Sequence, residues 1–189
     1  ISREQKDRFQ EQWALYFMGR DYLALGEPHK ALRHFEQALT IGREIQNRKG
    51  EAISLLFVGE TLMRMGQFEK AREAASRSLG LLEEPGMADF TWQAERCLGL
   101  IHARQGRAEE ALVFLERAIH GIEGLRSGLN EEDRALFLGS KLQVYDQLTR
   151  LLGDLHNQNP AKGYDRRSFD IFERKQGRTF LEAMGKSGA

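Results

Sequence analysis

Cys97 and five histidines, His29, His34, His102, His120 and His156, are the side chains of this 189-residue sequence best suited to nucleophilic, proton-transfer or metal chemistry. A catalytic thiol needs a base and an electropositive niche. No motif around Cys97 supplies either, so a core thiol is expected there. No histidine pairs with another His or with Cys at the spacing of metal ligands. Acids cluster at Glu83-Glu84, Glu109-Glu110 and Glu131-Glu132-Asp133. Adjacent helical residues point apart, so these make poor acid–base dyads and better helix starts or solvated faces. No glycine-rich phosphate loop of the Walker or dinucleotide type is present. The expectation is a chain with no catalytic residue, no metal and no cofactor, and therefore not an enzyme.

Bulk charge narrows the partners. Lys plus Arg number 28 and Asp plus Glu number 28, a balance that gives no global pull toward nucleic acid or an anionic membrane. No apolar run approaches the ~20 residues that span a bilayer. A lone cysteine excludes an intrachain disulfide and predicts a reducing, cytoplasmic setting. Ile1 at the start and the run Gly185 to Ala189 at the end predict a piece of a longer protein.

The elements that would position any site follow from a forty-residue period. Gly19, Gly59 and Gly99 are spaced by 40, as are Gly26, Gly66 and Gly106, and Ala31, Ala71 and Ala111. Apolar residues at i, i+3, i+4 and i+7 flank them, marking helix faces. The second glycine of each set falls where a first helix should stop, because glycine tolerates the left-handed backbone just past a helix end. The first lies inside that helix, where glycine costs about 1 kcal/mol against alanine. A cost repeated three times implies a gain repeated three times, namely close approach of the second helix. Ala31, Ala71 and Ala111 are the expected small residues facing those glycines.

Asn130 to Asp133 reads as a further helix start. An apolar stripe follows, from Leu136 and Phe137 through Tyr145 and Leu148 to Leu155. Asn157 to Gly163 breaks it. A last helix carries Phe169, Ile171, Phe172, Phe180, Leu181 and Met184. Arg166, Arg167, Arg174, Lys175 and Arg178 interleave there with acids, which predicts a salt-bridged or domain-docking face rather than a nucleic-acid patch.

Met18, Gly19, Tyr22, Gly26, Ala31, Phe35 and Ala38 together resemble the tetratricopeptide repeat. Repeat two departs with Leu62, Ala75 and Ser78, and repeat three with His102 and Leu115. The usual period is 34; the six extra residues add about 9 Å of helix per pair. The resemblance implies an all-α, right-handed α-solenoid of about four antiparallel helix pairs. The expected repeats are 9–46, 48–84 and 87–126, with a degenerate fourth pair at 130–185, all in one domain over 1–189. A second resemblance covers about 122–184. Gly124-Leu125-Arg126-Ser127-Gly128-Leu129, Phe137-Leu138, Tyr164-Asp165, Phe172-Glu173-Arg174 and Arg178 look like the segment preceding a CHAT domain, a caspase-like module found mostly in bacteria. That resemblance implies a regulatory or sensor part with a caspase-like domain after it.

In the repeat family's register, first helices line a concave partner-binding face. The residues this places there are Trp13, Tyr16, Arg20 and Leu23, then Ile53, Leu56, Glu60, Met63 and Arg64, then Gln93, Arg96, Leu100 and Arg104. Apolar groups beside arginines suit a protein or peptide segment with acidic side chains. The alternative the resemblance allows is a peptide or small-ligand receptor of the bacterial quorum-sensing type.

Overall fold

The computed structural model describes residues 3–83, 87–127 and 141–186. Among them there are eight α-helices and no strand. They are α1 (Arg3–Ala24), α2 (Pro28–Glu44), α3 (Arg48–Arg64), α4 (Phe68–Leu82), α5 (Ala88–Arg104), α6 (Ala108–Ser127), α7 (Leu142–Gln158) and α8 (Tyr164–Lys186). One 3-10 turn, Pro160–Lys162, joins the last two. Consecutive helices pack as four pairs, and each pair's second helix also packs on the first helix of the next. The result is an all-helical solenoid, as the spacing predicts. The helix start predicted at Asn130 to Asp133, with Leu136, Phe137 and Leu138, lies outside the described residues. So do the side chains of Arg126, Arg178, Phe180, Leu181 and Met184.

The three predicted helix stops are realised. Gly26, Gly66 and Gly106 have φ of +76°, +76° and +72°. At each, the glycine N–H and the next N–H donate backward, as in Gly66 to Met63 O (3.0 Å) and Gln67 to Leu62 O (2.9 Å). This is the paired-bond end that only a left-handed residue closes easily.

Gly19, Gly59 and Gly99 do mark close crossings of the second helix, and the nearest atom is the expected alanine's at Gly59 but Phe35's at Gly19 and Leu115's at Gly99. A Cβ on Gly19 would sit 2.6 Å from the Phe35 ring, and one on Gly99 would sit 2.8 Å from Leu115 Cγ. On Gly59 it would lie 3.1 Å from the Ala71 carbonyl oxygen and 3.3 Å from Ala75 Cβ. The facing column is therefore 35, 75 and 115, one helical turn beyond the alanines. Ala31, Ala71 and Ala111 are fully buried in the same seams, and the Ala71 carbonyl oxygen is the nearest atom to a Cβ on Gly59.

α3 is enclosed on nearly every side. Gly50, Ala52 to Leu56, Val58, Gly59, Thr61 and Leu62 are all buried, because α1, α2, α4 and α5 surround it. A helix apolar all round belongs in a core. The core forms two clusters. One runs from Tyr16 and Phe35 to Ile101; the other joins Trp92 of α5 to Leu112, Ile119, Tyr145, Leu152 and Ile171.

The fourth pair departs from the first three in a regular way. Counted from the helix start, α2, α4 and α6 carry Ala31, Ala71 and Ala111 at one position and Ala38, Ser78 and Ala118 seven residues on, all fully buried. The same positions in α8 hold Arg167 and Arg174. These reach α6, Arg167 pairing with Glu116 and Arg174 with Glu123 at 2.6 Å. Glu109 completes the row, accepting from the Tyr164 hydroxyl at 2.7 Å. Lys175 pairs with Asp146. Predicted within a salt-bridged face, Arg167, Arg174 and Lys175 form a polar seam against α6 and α7.

Two repeats share a ring pair with the ring types exchanged. Tyr22 stacks on His34 (5.2 Å between centroids) and, eighty residues on, His102 stacks on Phe114 (5.3 Å). His102 is 8% exposed and its buried Nδ1 has no hydrogen-bond partner. Burial pulls its pKa below the ordinary 6.5, and nearby Arg107 pulls in the same direction. As pH falls below about 6.5 the unfolded chain therefore takes up this proton before the folded one does. The stability His102 contributes is present above that pH and is lost below it. The thermal midpoint should drop between pH 7.5 and 5.5, and the drop should shrink in His102→Phe. An identical pH profile in the variant would refute this assignment.

Candidate functional site

The first helices α1, α3, α5 and α7 line one face, and two cavities open on it. The larger, about 750 Å³, is lined by Met63 and Arg64 of α3, by Leu100, Ala103 and Arg104 of α5, and by α7. α7 contributes Gln143, Asp146, Gln147, Arg150, Leu151 and Asp154. Spacings of three, four and seven put these on one side of the helix. Its other side, Val144, Tyr145, Leu148, Leu152 and Leu155, is buried in the cluster it shares with α6. That packing turns the polar side of α7 toward Arg64 and Arg104. The volume lies within the usual range for ligand sites.

The smaller cavity, about 350 Å³, is aromatic. Trp13, Tyr16, Phe17 and Arg20 of α1 line it with Phe57 of α3 and Phe90 and Gln93 of α5. Its rings meet edge to face, Trp13 with Tyr16 at 5.4 Å and Tyr16 with Phe57 at 5.1 Å, the arrangement their quadrupoles favour. The Arg20 guanidinium lies over the Tyr16 ring at 5.8 Å. Burial raises the Tyr16 hydroxyl pKa, and Arg20 opposes that shift. Phe17 remains 53% exposed.

Between the cavities Glu60 accepts from Arg64 and from Arg96, each at 3.4 Å. Glu60 and Arg96 are mostly buried, so removing either would leave the other's charge poorly compensated. Their role is to tie α3 to α5. The predicted face residues thus fall into four groups. Trp13, Tyr16, Arg20 and Gln93 line the aromatic cavity, and Met63, Arg64, Leu100 and Arg104 the charged one. Glu60 and Arg96 bridge the two. Ile53 and Leu56, each 1% exposed, and Leu23 belong to the core; their placement on an open face is corrected, because four helices enclose α3 around Ile53 and Leu56, and Leu23, near the end of α1, is buried in the first core cluster.

Sequence reasoning missed Phe17, Phe57, Phe90 and the whole α7 wall. Phe17 and Phe57 are spaced by 40 in the same register as the glycines, which could have found them. Gln143, Gln147, Arg150 and Asp154 stand opposite a leucine stripe, a signal equally open to reading.

Among the described residues the remaining reactive groups do not converge. Cys97 is buried, which pushes its thiol up to about 12 and keeps it protonated. Among the described residues no group of three or more His, Cys, Asp or Glu is placed to hold a metal ion. No described helix is long and apolar enough to cross a membrane.

Comparison with known proteins agrees with the fold. Two tetratricopeptide repeat family patterns match residues 10–84 and 58–124. Regulatory protein RapG of Bacillus subtilis (strain 168) is 32% identical over 111 residues, which is 58% of this chain and 30% of RapG. The chain therefore spans under a third of that curated relative. The crystal structure of aspartyl phosphate phosphatase F from Bacillus subtilis superposes with a TM-score of 0.69 at 18% identity, covering 96% of this chain and 46% of the other. The TPR domain of Arabidopsis FLU gives 0.58 at 22% identity, covering 62% and 98%. At these identities the two structures speak to the fold.

Proposed function

Residues 10–124 are tetratricopeptide repeats, and from that premise we propose that the first-helix face captures a linear segment of a partner protein and performs no chemistry on it. The observation that carries the reading is the charged cavity. Arg64 and Arg104, on different helix pairs, project toward one space walled by α7. Guanidinium groups bind carboxylates in fixed, two-pronged geometry. Apolar Met63, Leu100 and Leu151 beside them offer contact area. A rigid helical scaffold holds both sets in place, so little ordering cost falls on the protein side.

A peptide-display selection against the chain tests this. Arg104→Glu is an exposed change and should leave the thermal midpoint nearly unmoved, whereas Arg64→Glu sets a carboxylate beside the mostly buried Glu60 and should lower it slightly. Together they should weaken selected peptides by at least about tenfold, the loss of more than 1 kcal/mol expected at a binding hot spot. Undiminished binding by the double variant would remove the cavity from consideration.

A second reading is favoured by the closure of the cavity on a third side by α7. A short free peptide of the quorum-sensing kind would then be the ligand, and the likeness to RapG, a regulatory protein, supports this reading equally well. Thermal stabilisation by peptides of five to ten residues, undiminished when flanking residues are removed, would favour it over a segment of a folded partner. The CHAT-like wording of residues 122–184 supports placing the module beside a caspase-like domain. Sequencing the parent gene past Ala189 tests that placement. The single buried thiol fits a reducing cytoplasmic setting.

A further inference from the structure

Building on the reading that this face binds a linear segment, we infer that the two cavities are filled together by one extended protein segment, an aromatic or large aliphatic side chain in one and acidic side chains in the other. The aromatic cavity has the makings of an anchor pocket. Trp13, Phe17, Phe57 and Phe90 converge there from three helices, and Phe17 is more than half exposed although its ring lies 5.2 Å from Tyr16. Phe9, also exposed, extends the patch through its contact with Trp13. Single exposed apolar residues are ordinary; a contiguous aromatic patch beside a cavity marks a binding surface.

The charged cavity sets the sign of the other end. Among its carboxylates Asp146 is held by Lys175. Glu60, at the edge, is shared by two arginines. No ion pair among the described residues holds Arg104 or Arg150. The lining arginines Arg64, Arg104 and Arg150 outnumber the lining carboxylates Asp146 and Asp154 by one, and Asp146 is already taken up by Lys175, so positive charge is in excess where α3, α5 and α7 meet and complementarity calls for acids.

Helix geometry fixes the separation. At about 1.5 Å rise per residue, Phe57 and Arg64 lie about 10 Å apart along α3, and Gln93 and Arg104 about 16 Å apart along α5. An extended chain advances about 3.3 Å per residue. The anchor and the first acid should therefore stand three to five positions apart, with two to four residues between them.

A spacer ladder tests this. Fluorescent peptides carry one Phe, then zero to eight Gly/Ser residues, then Glu-Glu, in both sequence orders, and binding is read by anisotropy. The expected result is a maximum at two to four spacer residues in one order. For that best peptide, Phe17→Ser and Arg104→Glu should each weaken binding by about tenfold. Replacing its Phe by Ser should remove the effect of Phe17→Ser and keep that of Arg104→Glu. No binding across the ladder, a flat dependence on spacer length, or Phe17→Ser weakening both peptides alike would overturn the two-cavity inference. The broader reading is judged separately: display-selected peptides that still depend on Arg64 and Arg104 would leave it standing while this one falls.

Discussion

Phe35→Ala should cost about 3–5 kcal/mol, the range for deleting a fully buried aromatic ring. Phe35 has no exposed surface and packs 5.3 Å from Phe57 and 6.2 Å from Tyr16, centroid to centroid. Its ring also fills the space that a Gly19 side chain would need. Because each helix pair contacts only its neighbours, the damage should be local. Hydrogen exchange should accelerate in α1 to α3 while α6 to α8 stay protected. Denaturant unfolding measures the total, and a loss under 1 kcal/mol would contradict the packing. A double-mutant cycle sharpens the result. Gly19→Ala should be clearly destabilising in the native background. With Phe35→Ala the clash is gone, and alanine's helix propensity, about 1 kcal/mol better than glycine's, should show instead.

Ala71→Arg should cost about 2–4 kcal/mol through overpacking and a charge forced into an apolar crossing. Ala71 is fully buried, and its carbonyl oxygen lies close against Gly59. Here backbone meets backbone, so no neighbouring side chain can swing aside to make room. The neighbouring Lys70 is exposed, and Lys70→Arg should stay within about 0.5 kcal/mol. Thermal midpoints of the two variants give the comparison. Similar midpoints would mean that the α3–α4 crossing is looser than the geometry places it.

Most of the fold was legible because its signals are local. A glycine past a helix end needs only its own turn, so Gly26, Gly66 and Gly106 could be read directly. The partner of an interior glycine depends on how two helices cross, which no spacing along one helix reports; that is why the facing column proved to be Phe35, Ala75 and Leu115. The candidate face was half legible. Arg64 and Arg104 follow the repeat register, whereas Ile53 and Leu56 do too and are nonetheless enclosed, because the register does not count how many neighbours α3 has. The α7 wall escaped notice because the register ends near residue 126 and the helix was read for its leucine stripe alone. Phe17 and Phe57 stand two residues before Gly19 and Gly59, so their register is legible, but which rings meet across α1, α3 and α5 depends on how three helices cross.

The arginines that replace alanines in α8 have a consequence for modularity. The first three hairpins present small residues to one another and are in principle interchangeable bricks. The fourth is keyed: Arg167 and Arg174 must find Glu116 and Glu123 seven residues apart on the helix before them. Duplicating or shuffling the earlier hairpins should preserve a stack, but moving the fourth behind α2 or α4 would break one of its two pairs, because the places of Glu116 and Glu123 are taken there by Glu36 and Arg43 or by Ser76 and Glu83. The order of the hairpins is therefore written into the chain by polarity as well as by shape.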